Sequence, residues 1–242
     1  METKPGPDLT SSTSLTSLMA ALTLTTGMVE AVSLLALGSV FTAMQTGNVL
    51  FFGFALVGEG RASAVATSVS LGSFAAGALL GARLESAMEA RRHRWFVLAL
   101  IMESALLAVA AFTAWGLGPA HGAPSGRHIT AVAWVALAMG MRNVTAMRAR
   151  VPDLPTTLVT RTITALVSGS TLGHDTALGY GSGASARRGV AVLAMLAGSV
   201  LGASLLRLHW SPTGVLLLTA GEILAIAAAF AATARHRPPP TG

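Results

Sequence analysis

Long apolar stretches with at most one Asp, Glu, Lys or Arg each dominate the chain, and short segments that carry most of its charges separate them. Four such stretches lie in each half, at 9–29, 31–58, 62–82 and 95–117, and at 129–147, 154–172, 189–206 and 213–234. Each is about as long as the roughly 20 apolar residues that a helix needs to cross a bilayer. Their Ala, Gly, Leu and Val content lacks the alternation of barrel strands, so the pattern predicts an all-α polytopic membrane bundle.

The bundle is expected to form one membrane domain, 15–234, between two short tails. The segment 1–14 is rich in Pro, Ser and Thr and predicts a flexible tail. The segment 235–242 contains three consecutive prolines, which cannot continue a helix, and predicts a disordered end.

An internal duplication divides this domain into repeats at about 15–117 and 129–234. Four pairs of blocks recur in the same order: GMVEAVS with GMRNVTA, Thr42/Thr46 with Thr156/Thr160, AGALLGARL with AGSVLGASL, and ESALLAVAAF with EILAIAAAF. Shared Ala and Leu content could explain one of these pairs but not four in one order. The two halves are therefore predicted to be homologous.

The distribution of Lys and Arg favours six membrane crossings over eight. With six, eleven basic residues share one side and three lie opposite: Lys4, Arg83, Arg91, Arg92, Arg94, Arg148, Arg150, Arg187, Arg188, Arg235 and Arg237 against Arg61, Arg127 and Arg207. Eight crossings would divide the same residues evenly. Because basic residues stay on the cytoplasmic side, we expect six spans in an inverted repeat with both termini cytoplasmic. Eight spans in two parallel repeats are the alternative.

Six crossings require the second stretch of each half to enter and leave on one side as a re-entrant hairpin. In the first half, 38–45 would descend and a half-helix opened by Thr46 and Asn48 would return. In the second half, 151–159 would descend and a half-helix opened by Thr160 and Arg161 would return.

Two half-helix N-termini meeting at the bilayer centre predict a polar site like those of many transporters. Thr42, Thr46, Asn48, Thr156 and Thr160 are its candidates. The alternative is that the threonine hydroxyls bond back to carbonyls of their own helices.

Isolated ionisable residues inside the spans are the second candidate group. Glu103 lies roughly 12 Å into its helix at about 1.5 Å per residue, and Glu222 takes the equivalent place in the second half. Such residues face the bundle interior and have a partner or a proton. The candidate partners are Glu30, Arg142 and Arg161. Asn143 stands where the first repeat has Glu30, so it joins the list. A structural ion pair or a protonated acid is an equally weighted interpretation.

Composition narrows the function further. Of 242 residues, 52% are apolar, 11% are charged and none is cysteine. That charge fraction is about half the usual value of roughly 25%, which excludes a soluble enzyme. The net charge of +6 comes from connecting segments, so we expect a lipid bilayer rather than nucleic acid as the partner. The chain lacks metal-ligand spacing and common catalytic motifs, so we expect no cofactor, metal or catalytic residue.

Two blocks of the chain resemble a known family. GMVEAVSLLALGSVFTAMQTGN and AMGMRNVTAMRARVPDLPTTLVTRTIT are similar to the YoaK family of bacterial multi-pass membrane proteins, whose function is unknown. The resemblance implies a bacterial inner-membrane protein with no assigned substrate, cofactor or reaction. The chain also departs from the family, which tends to have Asp at Glu30, Asn-Met at Met44 and Gln45, Gln at Arg142 and Gly at Arg161.

Together these patterns favour a small-solute or proton-coupled transporter or channel with a site at the bilayer centre. A membrane scaffold and a membrane-embedded enzyme are the alternatives. The expected ligand is a small polar solute or ion, and a homo-oligomer is left open.

Overall fold

The computed structural model describes residues 9–59, 63–88, 92–120, 122–149, 159–168 and 184–235. These residues form eight α-helices and one π-helical turn, and they contain no strand: α1 (Leu9–Val32), the π turn (Ser33–Leu37), α2 (Gln45–Leu56), α3 (Ala64–Ala87), α4 (Arg92–Thr113), α5 (Gly126–Ala149), α6 (Val159–Ser168), α7 (Ala184–Arg207) and α8 (Pro212–Arg235). The all-helical prediction is confirmed.

Six of these helices are long and apolar enough to cross a membrane: α1 with its π turn, α3, α4, α5, α7 and α8. Of the other two, α2 has 12 residues and, at about 1.5 Å per residue, is roughly 18 Å long. It could not cross a hydrocarbon core of about 30 Å. α6 is described over Val159–Ser168 only. The six long helices and the short α2 agree with the predicted six spans and with the half-helix of the first repeat.

The first predicted boundary was wrong. Glu30 does not separate two segments, because α1 continues through it and the π turn carries the helix on to Leu37. One buried acid does not end a helix whose backbone hydrogen bonds are otherwise complete. The helix also begins at Leu9, inside the segment assigned to a tail. The helix ends at Leu37 instead. Residues 38–44 are not helical, and α2 follows them.

Glycines bring α3 and α5 into backbone contact. A Cβ added at Gly77 would overlap the carbonyl oxygen of Leu137, and a Cβ at Gly140 would overlap that of Phe74. Small residues allow membrane helices to approach this closely. The ion pair of Glu85 with Arg148 lies farther along both helices than the contact of Gly77 with Leu137, so α3 and α5 are parallel.

The glycines at the equivalent positions of the opposite repeats bring α1 and α7 into the same kind of backbone contact. A Cβ at Gly198 would overlap the carbonyl oxygen of Leu24, and one at Gly27 would overlap that of Met195. Gly198 is the sequence counterpart of Gly77, and Gly27 is the counterpart of Gly140. Each half thus packs its first helix against the second long helix of the other half.

The directions of α1 and α5 follow from two contacts. The Ala120 amide, just before α5, donates to the Ala36 carbonyl at the end of α1 and its π turn, at 2.9 Å. Farther along α5, Arg142 reaches the Leu22 carbonyl, which is earlier in α1. The two helices are therefore antiparallel. The predicted inverted repeat itself stays a prediction.

The surface of this bundle is apolar. Large hydrophobic side chains are exposed on the long helices, including Leu80, Phe112, Leu193 and Leu224. The central positions belong to α1 and α5, whose spans are 67% and 56% buried, compared with 22% for α7. An apolar exterior around buried polar groups identifies a multi-pass membrane protein.

Candidate functional site

The broken segment at 38–44 is held by the carboxyl group of Glu30. Glu30 Oε1 accepts hydrogen bonds from the Thr42 amide at 3.0 Å, from the Thr42 hydroxyl at 3.2 Å and from the Ala43 amide. Glu30 is 4% exposed. Its other oxygen, Oε2, is buried and has no hydrogen-bond partner among the described residues.

Asn48, in the first turns of α2, completes the hold on this segment. Its Oδ1 accepts from the Phe41 amide at 3.0 Å, and its Nδ2 donates to the Phe41 carbonyl at 2.6 Å. Ser70 of α3 also donates to the Phe41 carbonyl, at 2.6 Å. Gln45 donates to the Thr42 carbonyl at 2.9 Å. Because these bonds satisfy backbone groups inside the bundle, the irregular chain can persist there.

This arrangement differs from the predicted one in an important respect. The start of α2 was expected to present free backbone donors to a solute. Instead, donors just before the helix, at Thr42 and Ala43, already bind the Glu30 carboxyl, and the residue that caps α2, Met44, makes no side-chain cap bond. An acidic side chain of the protein therefore occupies the position that an anionic ligand would take.

A second polar cluster surrounds Arg142 of α5, whose side chain is 1% exposed. Its Nη2 forms an ion pair with Glu103 of α4, as the list of candidate partners anticipated. Its Nη1 donates to the Leu22 carbonyl and to the hydroxyls of Thr25 and Thr26 on α1, each at 2.8 Å. The guanidinium thus links three helices in the interior.

The two clusters share one face of α1. Thr26, Glu30 and Ser33 follow one another at spacings of four and three residues, which places them on the same side of the helix. Thr26 binds Arg142, Glu30 binds the broken segment, and Ser33 donates to the Val40 carbonyl at 2.8 Å. A continuous polar stripe therefore runs along the central helix.

Glu222 lies at about the height of Glu103. Ser104 of α4 donates to the Ala220 carbonyl of α8 at 2.8 Å, while the rings of Phe96 and Phe230 lie 4.7 Å apart. These contacts show that α4 and α8 are antiparallel and that Glu103 and Glu222 lie at about the same height. Glu222 is half-buried, and its Oε2 has no hydrogen-bond partner within the described part of the chain.

The other predicted site residues lie away from the two buried clusters or outside the residues that the structure describes. Thr46 is exposed on α2, and Asn143 is half-buried on α5. Thr160 and Arg161 stand in the first turn of α6, where only the backbone is described. Thr156 lies outside the described residues.

The sequence analysis missed the threonines that hold Arg142. Thr25 and Thr26 also donate back to the Leu22 carbonyl, at 2.8 and 2.9 Å, as threonines within membrane helices commonly do. They nevertheless accept from Arg142 at the same time. Three threonines within the run ALTLTTG were the available signal, because apolar residues fill most of that span.

A third charged contact lies near the ends of α3 and α5. Glu85, 1% exposed, pairs with Arg148, whose Nε lies 2.7 Å from Glu85 Oε2. The Arg148 side chain is 41% exposed, so this pair joins the interior to the surface. Among the described residues, no group of acidic or histidine side chains is arranged to hold a metal ion.

Comparison with known proteins gives a family without an assigned activity. The family described as "Protein of unknown function (DUF1275)" matches residues 18–229, which is most of the chain. The YoaK proteins are members of that family, so the resemblance drawn from the two sequence blocks is confirmed. No curated protein and no solved structure matches.

Proposed function

The chain belongs to the DUF1275 family of proteins of unknown function, and we propose that it is a transporter or channel for a small polar solute or ion. The pathway would follow the polar face of α1, past the Arg142–Glu103 pair and the broken segment held by Glu30. Glu222 would lie at the height of that pair on the neighbouring α8.

One observation carries the proposal: interrupted backbone lies against a buried carboxyl group within a span. Interrupted helices at membrane depth are a common feature of transporter binding sites, because they expose backbone groups where a solute can meet them. A buried acid and a buried arginine on the same path also mark substrate or ion routes more often than lipid contacts.

The repeat arrangement supports the same proposal. The matched glycine contacts of α3 with α5 and of α1 with α7, and the antiparallel course of α1 and α5, are what an inverted repeat requires. In such a protein the site lies between the halves, and motion of one half against the other exposes it to each side in turn. We further propose an inner-membrane location with cytoplasmic termini, because this orientation follows the basic residues.

Reconstitution in liposomes tests the proposal directly. Purified protein is expected to move at least one solute from a panel of protons, small cations, small anions and neutral polar molecules. Glu103→Gln and Glu222→Gln should each reduce that movement several-fold, because they remove charge from the pathway. Ser68→Ala is the matched control, since Ser68 is a polar but exposed residue of α3 whose hydroxyl bonds only its own helix.

Other results would point to other functions. If no solute moves and both glutamate variants keep the fold, the transport proposal is wrong and a membrane scaffold is favoured. If the protein consumes an added solute instead of moving it, a membrane-embedded enzyme is favoured.

A further inference from the structure

The donors around Glu30 Oε1 form a compact anion cradle. This cradle consists of the Thr42 amide, the Thr42 hydroxyl and the Ala43 amide, which converge on one oxygen atom. Two consecutive amides pointing into one concavity are a typical way for a protein to bind an anion. The start of α2, a helix of 12 residues, lies directly beyond it and adds its positive end.

The Glu30 carboxyl group, which occupies this cradle, is held through one of its two oxygens only. All three hydrogen bonds reach Glu30 Oε1, whereas Oε2 is buried without a partner in the described residues. A buried carboxylate with a purely structural role normally forms hydrogen bonds through both oxygens, because each unpaired buried polar atom costs free energy. The side chain, on a continuous helix, could leave the cradle by rotating about its own bonds while α1 stays in place.

We propose that this cradle is a binding site for a small monovalent anion and that Glu30 is its built-in competitor. The inference rests on the proposed function, which it deepens by naming the class of solute. The anion would take the place of Glu30 Oε1 and accept the same donors. Formate, nitrate and chloride fit this chemistry, because each is small, carries a single charge and can place one acceptor atom where Glu30 Oε1 lies. A multiply charged anion would not, since the buried surroundings penalise extra charge.

Chemical rescue separates this site from a structural contact. Glu30→Ala empties the cradle and should lower the melting temperature of the purified protein. Sodium formate, nitrate or chloride should then raise it by several degrees more than in the wild type, whose cradle is occupied. Sodium gluconate at matched ionic strength is too large for the cradle and should not. Adding Thr42→Val to Glu30→Ala should weaken the rescue, because one donor is lost.

Asn48→Ala is the matched control for loop damage. It removes bonds to the same broken segment, at the Phe41 amide and carbonyl, without vacating the anion position. The three anions should not rescue it. Equal melting temperatures of Glu30→Ala in formate, nitrate, chloride and gluconate would overturn the proposal, as would equal rescue of Asn48→Ala.

Glu30→Gln provides a second route if Glu30→Ala fails to fold. Its amide oxygen can still accept the cradle donors, but it carries no charge and competes less strongly with an anion. In liposomes, this variant should pass chloride or nitrate several-fold faster than the wild type. If the wild type moves a solute in the same liposomes, anion flux through Glu30→Gln at or below the wild-type value would count against the proposal.

The two proposals can fail separately. If the wild type moves only cations or neutral solutes and the Glu30 variants show no anion effect, the transporter stands and the anion site falls. If anions rescue Glu30→Ala but no variant or wild-type protein moves any solute, the anion site stands and the transporter falls.

Discussion

At the scale of single residues, the energetics of Arg142 dominate the interior. An ionised side chain in the middle of a span costs about 2.5 to 3.5 kcal/mol on insertion scales, and Arg142 offsets this with Glu103, two hydroxyls and a carbonyl. A charge left without its partner is more harmful than the absence of both. The pair should therefore behave as one unit.

A double-mutant cycle measures that unit. Glu103→Gln alone should destabilise the protein by about 3 kcal/mol, because Arg142 loses its counter-charge. Glu103→Gln combined with Arg142→Gln should cost clearly less than the sum of the two single changes. The measurement is the unfolding free energy of the four proteins in one detergent. Additive effects would contradict the pairing.

Thr42 and Thr46 give a second residue-scale prediction. Thr42 is buried and donates its hydroxyl proton to Glu30, whereas Thr46 is exposed. Thr42→Val should lower stability by about 1 kcal/mol, the net value of a typical hydrogen bond. Thr46→Val, a change of the same shape, should leave melting unchanged within error. Thermal unfolding of both variants under one condition compares them, and a larger loss for Thr46→Val would contradict the described placement.

These threonines also mark the limit of prediction from sequence. The repeat singled out Thr42 and Thr46 together, but nothing in their spacing indicates that one is buried and the other exposed. For Glu30, the sequence shows an acid within an apolar run, and burial with a partner follows from physics. Its partner is a set of backbone amides twelve and thirteen residues later. Backbone amides are the same at every position, so only the folded chain reveals that choice.

At the scale of helices, close glycine contacts set the geometry that holds both clusters. The sequence carries a signal for close contact, because Gly77 and Gly81 of α3, like Gly198 and Gly202 of α7, have the GxxxG spacing typical of helices whose backbones touch. It could not assign the partner helix. That α3 packs on α5 and α1 on α7 depends on how the halves fold together, which no local pattern encodes.

Two glycines of α3 test this packing within one helix. Gly77→Ala should destabilise the protein by roughly 1 to 3 kcal/mol, because its Cβ would collide with the backbone of α5 at Leu137. Gly72→Ala is the matched control, since nothing lies within 4 Å of its added Cβ. It should be neutral, or stabilising by up to about 1 kcal/mol through helix propensity. Equal destabilisation by both would contradict the contact, and chemical unfolding in one detergent compares them.

At the scale of the whole molecule, the six long helices and the short α2 follow from hydropathy and charge alone. The break at 38–44 was also predictable, since the six-crossing count required one there. The continuation of α1 through Glu30 was not, because an acid within an apolar run is ordinarily a boundary signal. Only the long-range bonds between Glu30 and the broken segment allow the acid to remain inside the span.

The number of crossings can be measured with single cysteines, because the chain contains none of its own. Suitable positions are Ala87, Ala123, Ser185 and Thr241. Ala123 represents the connection between α4 and α5. Arg127, in the first turn of α5, is less suitable because its side chain donates to the Thr113 and Trp115 carbonyls at the end of α4. A maleimide that cannot cross membranes should label only the Ala123 position in intact cells, if six helices cross and both termini are cytoplasmic. Eight crossings would place Ser185 on the same side as Ala123.

Permeabilised cells supply the control for this experiment, since all four cysteines should then react. Equal accessibility of Ala123 and Ser185 in intact cells, both labelled or both protected, would refute six crossings. Labelling of Ala87, Ser185 and Thr241 with protection of Ala123 would keep six crossings and reverse the orientation. In that case the broken segment held by Glu30 would open toward the cytoplasm, and a solute entering from outside would meet the second half first.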